Sequence, residues 1–346
     1  MSDDASAVTH NPAGLAQIDG YQIILGTHIL FPSTKYEGAF DAETKPVTGY
    51  LPCFYFSTDF GKSGPFTLGL GVNVPYGQSM EWEYSTIQNW FYSVPYYSYM
   101  QTINISPAVA CSINPKLSAG LALNVYPSKL EMDYLLPPAT PSKIKVDGTG
   151  YGGSFGLLYK ERAYSLGLTY KTGFDIDYGG DYSITGYPKE DADARLKFPP
   201  VVGLGLALRP NQALKIEFDT EWVGYSCLQE VPVDITGFPP SIEKDWKDSY
   251  TFSIGAEYRK SEKTRLMGGI AYITTPIPDS TWDPGLPDGD SFVISAGGEF
   301  LTKIGSFSMV LGAQLFNDRK SEKGAPYDGK YESKGFFGTV EYKKGF

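Results

Sequence analysis

The segment Leu214-Lys215-Ile216-Glu217-Phe218-Asp219-Thr220-Glu221-Trp222 decides the fold of this chain of 346 residues. Successive side chains of a β-strand point to opposite faces of the sheet. One face of this segment is therefore largely apolar, while the other carries only the charged side chains of Lys215, Glu217, Asp219 and Glu221. This alternation predicts a long strand with one apolar and one polar face.

The same pattern recurs, with aromatic side chains at both ends of the apolar face, in Tyr250–Tyr258 and Tyr164–Tyr170. Strands of soluble sandwiches usually run about five or six residues and need a partner sheet. Crossing a bilayer takes about 9 to 11 tilted residues with aromatic girdles at the two interfaces. We therefore expect the apolar faces to contact lipid.

Fourteen segments of this kind follow one another, an even number that suits an antiparallel barrel with both chain ends on the periplasmic side. Tight polar turns alternate with long loops, as between the periplasmic and extracellular ends of such barrels. The predicted fold is all-β, a 14-stranded antiparallel transmembrane β-barrel in one domain. The segments are 21–31, 47–60, 66–76, 100–113, 117–133, 144–160, 163–182, 195–209, 213–228, 245–259, 264–274, 291–301, 305–316 and 333–346.

Composition excludes several other classes of protein. No apolar run reaches the roughly 18 residues of a transmembrane helix, and the mean hydropathy is −0.22. A net charge of −10 leaves no basic stripe for nucleic acid. With two histidines and three scattered cysteines, we expect no enzyme, metal site or cofactor, and we interpret Cys53, Cys111 and Cys227 as small apolar residues.

The N-terminal sequence Asn11-Pro12-Ala13-Gly14-Leu15-Ala16 precedes the first strand, and other motifs follow in order: Val74-Pro75-Tyr76-Gly77, Tyr151-Gly152-Gly153-Ser154-Phe155-Gly156, Trp246-Lys247-Asp248-Ser249-Tyr250 and Thr275-Pro276-Ile277-Pro278-Asp279. Together these resemble the FadL-type outer-membrane transporters of long-chain fatty acids and aromatic hydrocarbons, also called the toluene-transporter family. The resemblance implies a barrel plugged by an N-terminal hatch, with apolar ligand leaving sideways into the bilayer through a gap at a kink in the third strand.

The domain prediction is a hatch remnant over residues 1–20 and a barrel over residues 21–346. The chain as given has no signal peptide, so either the signal and most of the hatch are missing through a mis-assigned start, or the protein begins at Met1. The sequence departs from the family pattern at Tyr134–Ser142, where the loop after the fifth strand is short and the family has a long helical excursion. In the family that excursion forms much of the first binding groove, so the aromatic loop 77–100 is the candidate to replace it in this chain.

The candidate site residues begin with the hatch turn and the third strand. Asn11 and Pro12 are predicted to fix the hatch against the wall, or to form an ordinary turn into a strand. Pro75 and Gly77 are candidates for the strand disruption at the lateral gap, because Pro cannot donate to the ladder. The alternative is that Pro75 merely ends the strand.

The loop 77–100 and two lysines complete the candidate set. The aromatic loop residues, Trp82, Trp90 and Phe91 among them, are candidates for a capture surface for apolar ligand, for an outer girdle that packs the loops shut, or for both roles. A fatty acid needs a partner for its carboxylate, since burying that charge unpaired is costly. Lys244 and Lys247 are the candidates for this role.

The leading function is passive uptake of hydrophobic compounds, fatty acids or aromatic hydrocarbons, across the outer membrane of a Gram-negative bacterium. A general diffusion porin is the alternative, and a lipase would need His10 or His28 beside a serine motif that neither has. The predicted partners are an apolar ligand, outer-membrane lipid and lipopolysaccharide, and the barrel assembly machinery through the terminal Phe346. The family resemblance implies a monomer.

Overall fold

The fold is a closed antiparallel β-barrel with helical turns inside it. The computed structural model describes residues 3–61, 64–90 and 94–346. Within these ranges the strands are β1 (Tyr21–Gly38), β2 (Asp41–Glu43), β3 (Gly49–Thr58), β4 (Phe66–Glu81), β5 (Tyr97–Ser112), β6 (Leu117–Leu136), β7 (Thr140–Lys160), β8 (Tyr164–Lys171), β9 (Phe174–Ile184), β10 (Glu190–Phe198), β11 (Val201–Leu208), β12 (Leu214–Val223), β13 (Glu230–Ile235), β14 (Ser241–Glu243), β15 (Ser249–Ser261), β16 (Thr264–Ile273), β17 (Ser291–Thr302), β18 (Gly305–Phe316), β19 (Arg319–Ser321) and β20 (Gly329–Gly345).

Four short helices accompany these strands in the described ranges. Helix α1 (Ala7–His10) and a 3-10 helix (Pro12–Gln17) precede β1, α2 (Tyr84–Asn89) lies between β4 and β5, and a second 3-10 helix (Tyr225–Cys227) follows β12. None of the described helices has the length and apolar character to cross a bilayer.

Closure of the barrel joins the two ends of the chain. Strands β1 and β20 pair antiparallel from Gln22↔Gly345 to Gly38↔Gly329. Beyond the ladder, the Phe346 amide donates to the Tyr21 carbonyl at 2.9 Å. The predicted fourteen-stranded antiparallel barrel is confirmed, with β8 and β9 forming the seventh strand and β10 and β11 the eighth.

The strand boundaries differ from the prediction in informative places. The third strand, β4, continues to Glu81 rather than stopping at residue 76, because pairing with β5 resumes after an irregularity and reaches Glu81↔Tyr97. Residues 134–143, between the predicted fifth and sixth strands, form a tight turn instead of a loop, because β6 and β7 pair up to Leu136↔Thr140. Residues 229–244, between the predicted ninth and tenth strands, contain the short hairpin of β13 and β14.

Burial follows the alternation read from the sequence. Outward side chains such as Leu166, Phe252 and Ile294 are large, apolar and exposed, as expected for a lipid-facing surface. On the opposite face of β12, the Lys215 ammonium and the Glu217 carboxylate form an ion pair at 3.1 Å inside the barrel. The sheet therefore presents apolar groups outside and polar groups within.

Candidate functional site

The N-terminal segment, residues 4–18, is packed inside the barrel. The Asn11 side chain donates to the Leu157 carbonyl at 3.1 Å and to the Leu168 carbonyl at 3.4 Å, and its oxygen accepts from the Ala13 amide at 3.1 Å. Pro12 is buried at the start of the 3-10 helix, where its missing N–H costs nothing. Asn11 thus ties the segment to the wall strands β7 and β8.

Glycines on the wall make this close packing possible. A Cβ at Gly156 would lie 2.1 Å from the Asn11 side-chain oxygen, and one at Gly120 would lie 2.3 Å from the Pro12 backbone. On β4, a Cβ at Gly69 would lie 2.6 Å from a Val8 methyl group. The inner faces of β4, β6 and β7 are therefore flattened where the segment rests. The glycine-rich sequence of β7 was noted above, but its role depends on contacts between distant residues.

Opposite this flattened wall, the segment borders a polar space. A cavity of about 420 Å³ lies between Ser6, His10 and Asn11 on one side and the inner faces of β8, β11, β12 and β15 on the other. Asp219 and Glu221 line it. The lumen is therefore filled asymmetrically, with the segment against β4–β7 and a polar, acidic space on the far side.

The barrel wall is interrupted between β3 and β4. All of β3 pairs with β1, from Tyr21↔Thr58 to Leu30↔Gly49, whereas its ladder to β4 contains only Phe54↔Val72 to Thr58↔Leu68. We call the unpaired stretch between residues 49–53 and 73–80 the wall gap. The isolated bridge Thr44↔Trp82 closes it at the end of the barrel away from the chain termini.

The backbone of β4 changes register at the same level. Its pairing with β5 jumps from Asn73↔Asn104 to Tyr76↔Thr102, which leaves Val74 and Pro75 out of the ladder. Pro has no N–H to donate, so it suits such an irregularity. Pro75 therefore lies within the strand rather than ending it. Across the gap, a Cβ at Gly77 would lie 3.5 Å from a Leu51 methyl group, which is ordinary contact.

A mostly apolar cavity of about 470 Å³ opens at the wall gap. Its lining includes Tyr50 and Phe336, which face outward, together with Phe337 on the inner face of β20. Leu286 and Pro287 of the 274–290 loop also line it. The cavity therefore contacts side chains from both faces of the wall.

An aromatic stack lies inside the barrel next to the register change. Tyr76 packs on Phe198 with ring centroids 4.8 Å apart, Phe198 stacks on Phe174 at 4.7 Å, and Phe174 stacks on Tyr126 at 3.9 Å. Phe174 begins β9 and Phe198 ends β10, at the two points where the seventh and eighth strands break. The sequence interpretation missed this stack, although Gly173 and Pro199-Pro200 at the breaks were a visible signal.

The loop tryptophans are buried rather than exposed. Trp82 and Trp90 each have 0% relative exposure, and their rings meet at 5.0 Å in a cluster with Tyr36, Trp282 and Tyr331. The Trp82 indole N–H donates to the Pro284 carbonyl at 3.0 Å. This placement favours the alternative in which Trp82 and Trp90 pack the loops shut, and the two residues offer no exposed surface for ligand. Phe91 lies outside the described residues.

The two candidate lysines lie just before β15 and do not line the cavity at the wall gap. Lys247 is exposed and Lys244 is partly buried. Next to them, hydrogen bonds from Ser226 and Trp222 hold the pKa of the Asp248 carboxyl below its usual value. The cations that do line that cavity are Lys334 and Lys45, the latter paired with Glu81 at 2.7 Å. The sequence interpretation missed both, because their neighbours come from distant strands.

A closed β-barrel with an occupied lumen and a break in its wall defines a plugged outer-membrane transport protein rather than an open pore. The family model for outer membrane protein transport proteins (OMPP1/FadL/TodX) matches residues 1–346, and the chain belongs to this family. The predicted family and outer-membrane localisation are thereby confirmed, and the general diffusion porin is not favoured.

Individual relatives are distant in sequence and close in fold. A long-chain fatty acid transport protein of Escherichia coli is 22% identical, over 98% of this chain and 88% of that protein. The crystal structure of a Pseudomonas aeruginosa FadL homologue superposes with a TM-score of 0.89 at 20% identity, covering 100% of this chain and 95% of the other. The toluene transporter TodX of Pseudomonas putida gives 0.77 at 16% identity, covering 100% and 95%.

Proposed function

We propose that this protein carries hydrophobic compounds, long-chain fatty acids or aromatic hydrocarbons, passively across the outer membrane and releases them sideways into the bilayer. The observation that carries the proposal is the wall gap, where the ladder between β3 and β4 stops at Phe54↔Val72 beside an apolar cavity. The relatives named as fatty acid and toluene transporters support the two classes of ligand.

Lateral release follows from the cost of exposing apolar groups to water. Each methylene group of an acyl chain loses about 0.8 kcal/mol when it is returned to water. A route from the lumen through the wall gap into hydrocarbon avoids that cost. The ligand runs down its own gradient, so the proposal requires no catalytic group and no energy source. We accordingly propose no enzymatic activity.

A bulky side chain in the wall gap should block this route. Because the Cβ position of Gly77 faces Leu51 at 3.5 Å, Gly77→Phe would place a ring across the gap, whereas Gly77→Ala fits without displacement. We expect Gly77→Phe to reduce uptake of labelled oleate and toluene into expressing cells nearly to the level of cells without the protein. Gly77→Ala should retain uptake.

The matched control for added bulk is Gly64→Phe in an open turn, where a Cβ meets nothing within 4 Å. All variants are compared at equal amounts of folded, heat-modifiable barrel in the outer membrane. Full uptake by Gly77→Phe would contradict release through the wall gap. A similar loss in Gly64→Phe would show that the effect comes from an added aromatic side chain in general and not from its place in the wall gap.

The proposed organisation keeps residues 1–20 as the hatch segment and residues 21–346 as the barrel. The proposed roles of Asn11 and Pro12 in holding the hatch rest on the hydrogen bonds to the wall. The monomeric state, contact with lipopolysaccharide and recognition of Phe346 by the barrel assembly machinery remain predictions.

A further inference from the structure

Three side chains with metal-binding atoms converge on the inner wall of the barrel, away from the wall gap. They are His28 on β1, Cys53 on β3 and Glu341 on β20, and their ligand atoms all lie within 4.8 Å of one another. Nitrogen, sulfur and oxygen ligands at a Zn²⁺ ion lie about 3 to 4 Å apart. Side-chain movements that shift the ligand atoms by about 1 Å would therefore bring all three into coordination distance of one ion.

The strand registers produce this convergence. Gly26 on β1 pairs with Cys53 on one side and with Glu341 on the other, so the three residues form one row across the seam of the barrel. A Cβ at Gly26 would lie 2.7 Å from the Glu341 side chain and 3.0 Å from the Cys53 sulfur. The glycine therefore leaves the space into which the two side chains lean. His28 is two residues further along the same face of β1.

The histidine ring has a hydrogen-bond partner at one of its two nitrogens. Its Nδ1 lies 2.8 Å from the Thr339 hydroxyl on β20. In the tautomer in which Nδ1 donates, this bond fixes the orientation of the ring and leaves Nε2 as the ligand atom for a metal. Nothing in the described part of the chain hydrogen-bonds to Nε2 of His28.

The charges nearby favour a cation. Lys343, two residues after Glu341 on β20 and within electrostatic reach of it, forms ion pairs with the Glu299 carboxylate at 2.9 Å and the Asp4 carboxylate at 3.4 Å. Among the described residues, no hydrogen bond or ion pair ends on the Glu341 carboxylate. Cys53 is buried, with 5% relative exposure. A divalent ion bound by a thiolate, a carboxylate and a neutral imidazole would leave the site without net charge, which lowers the cost of burial.

We propose that His28, Cys53 and Glu341 form a binding site for a divalent transition metal of the zinc type. Thiolate and imidazole ligands together favour Zn²⁺ over Mg²⁺ or Ca²⁺. The bound ion ties β20, β1 and β3 together where the barrel closes. Ala5 of the N-terminal segment packs in the same cluster as Cys53, so the ion also lies next to the base of that segment.

Titration of the purified, reduced and EDTA-treated barrel with Co²⁺, followed by Zn²⁺, tests this site. We expect a thiolate-to-cobalt charge-transfer band that saturates near one equivalent per chain and that Zn²⁺ abolishes. Cys53→Ser should lose the band. The matched controls are Cys111→Ser, on β5, and Cys227→Ser, in the second 3-10 helix; both should keep it.

Further variants separate coordination from folding. His28→Gln and Glu341→Gln should weaken Co²⁺ binding in barrels that still migrate as folded species, and Thr339→Val should weaken it about tenfold or more through loss of the partner on Nδ1. Zn²⁺ should raise the unfolding temperature of the unchanged protein and not of Cys53→Ser. A missing band, or a band that persists in Cys53→Ser, would overturn the proposal, as would a band that depends on Cys111 or Cys227.

Discussion

Single residues show what one sequence can and cannot reveal about a site. Asn11 and Pro12 were identified through a family motif, and the structure places both against the wall. Cys53 follows His28 by 25 positions, and Glu341 follows Cys53 by 288 positions. No spacing rule links residues so far apart, since only the strand registers bring them together. The expectation of no metal site rested on residue counts, which carry no information about proximity.

A prediction at this scale concerns the two lysines near β15. If the Lys244 and Lys247 ammonium groups receive a fatty-acid carboxylate, Lys244→Gln together with Lys247→Gln should weaken oleate binding about tenfold, in line with about 1.5 kcal/mol for a charge-assisted hydrogen bond. Toluene uptake should be unchanged because toluene carries no charge. Binding of labelled oleate and uptake of toluene are the two measurements.

The matched control is the pair of lysines that line the cavity at the wall gap. Lys45→Gln with Lys334→Gln should leave oleate binding unchanged if Lys244 and Lys247 are the partners of the carboxylate. Loss of oleate binding only in the Lys45 and Lys334 variant would transfer the role to the cavity. Equal loss of oleate and toluene in the Lys244 and Lys247 variant would exclude a role in carboxylate recognition.

At the scale of strands and loops, periodicity predicted which segments cross the membrane because each has a lipid-facing side and a lumen-facing side. It did not predict where strands bend. Two broken strands, β8 with β9 and β10 with β11, appeared in the sequence as single long runs. Pro199-Pro200 could have marked one break, because neither residue can donate to the ladder. The inward turn of Phe174 and Phe198 depends on packing against Tyr76 and Tyr126.

A prediction at this scale concerns the docking of the N-terminal segment on β7. Gly156→Ala places a methyl group 2.1 Å from the Asn11 side-chain oxygen, so the segment must shift, at a cost of about 1 to 3 kcal/mol for overpacking. We expect faster labelling of Ala13→Cys, a buried position, by a water-soluble maleimide. The background for this measurement carries Ser at the three native cysteines.

Gly153→Ala is the control on the same strand, since its Cβ would meet nothing closer than the Ala122 carbonyl at 3.5 Å. Its labelling rate should equal that of the unchanged background. Equal rates for Gly156→Ala and Gly153→Ala would show that docking of the segment does not depend on the glycine at position 156. The barrel itself should stay folded in both, because neither change removes a ladder hydrogen bond.

For the whole molecule, the decisive property is how far the lumen is filled. The N-terminal segment and the aromatic stack both occupy it, so we expect no large, steady open channel in planar bilayers. Replacing residues 3–18 by a Gly/Ser segment of equal length should increase the single-channel conductance, because the substitute lacks the side chains that pack on the inner faces of β4, β6 and β7. A large, steady conductance of the unchanged protein would instead favour a general diffusion porin.

The off-centre position of the N-terminal segment has a consequence for what the barrel lets through. With one wall of the lumen covered, the polar cavity lies along the opposite wall, beside Asp219 and Glu221. An apolar solute has its lowest free energy in the apolar cavity at the wall gap, near Tyr50 and Phe337. We therefore expect polar and apolar solutes to occupy different sides of the lumen.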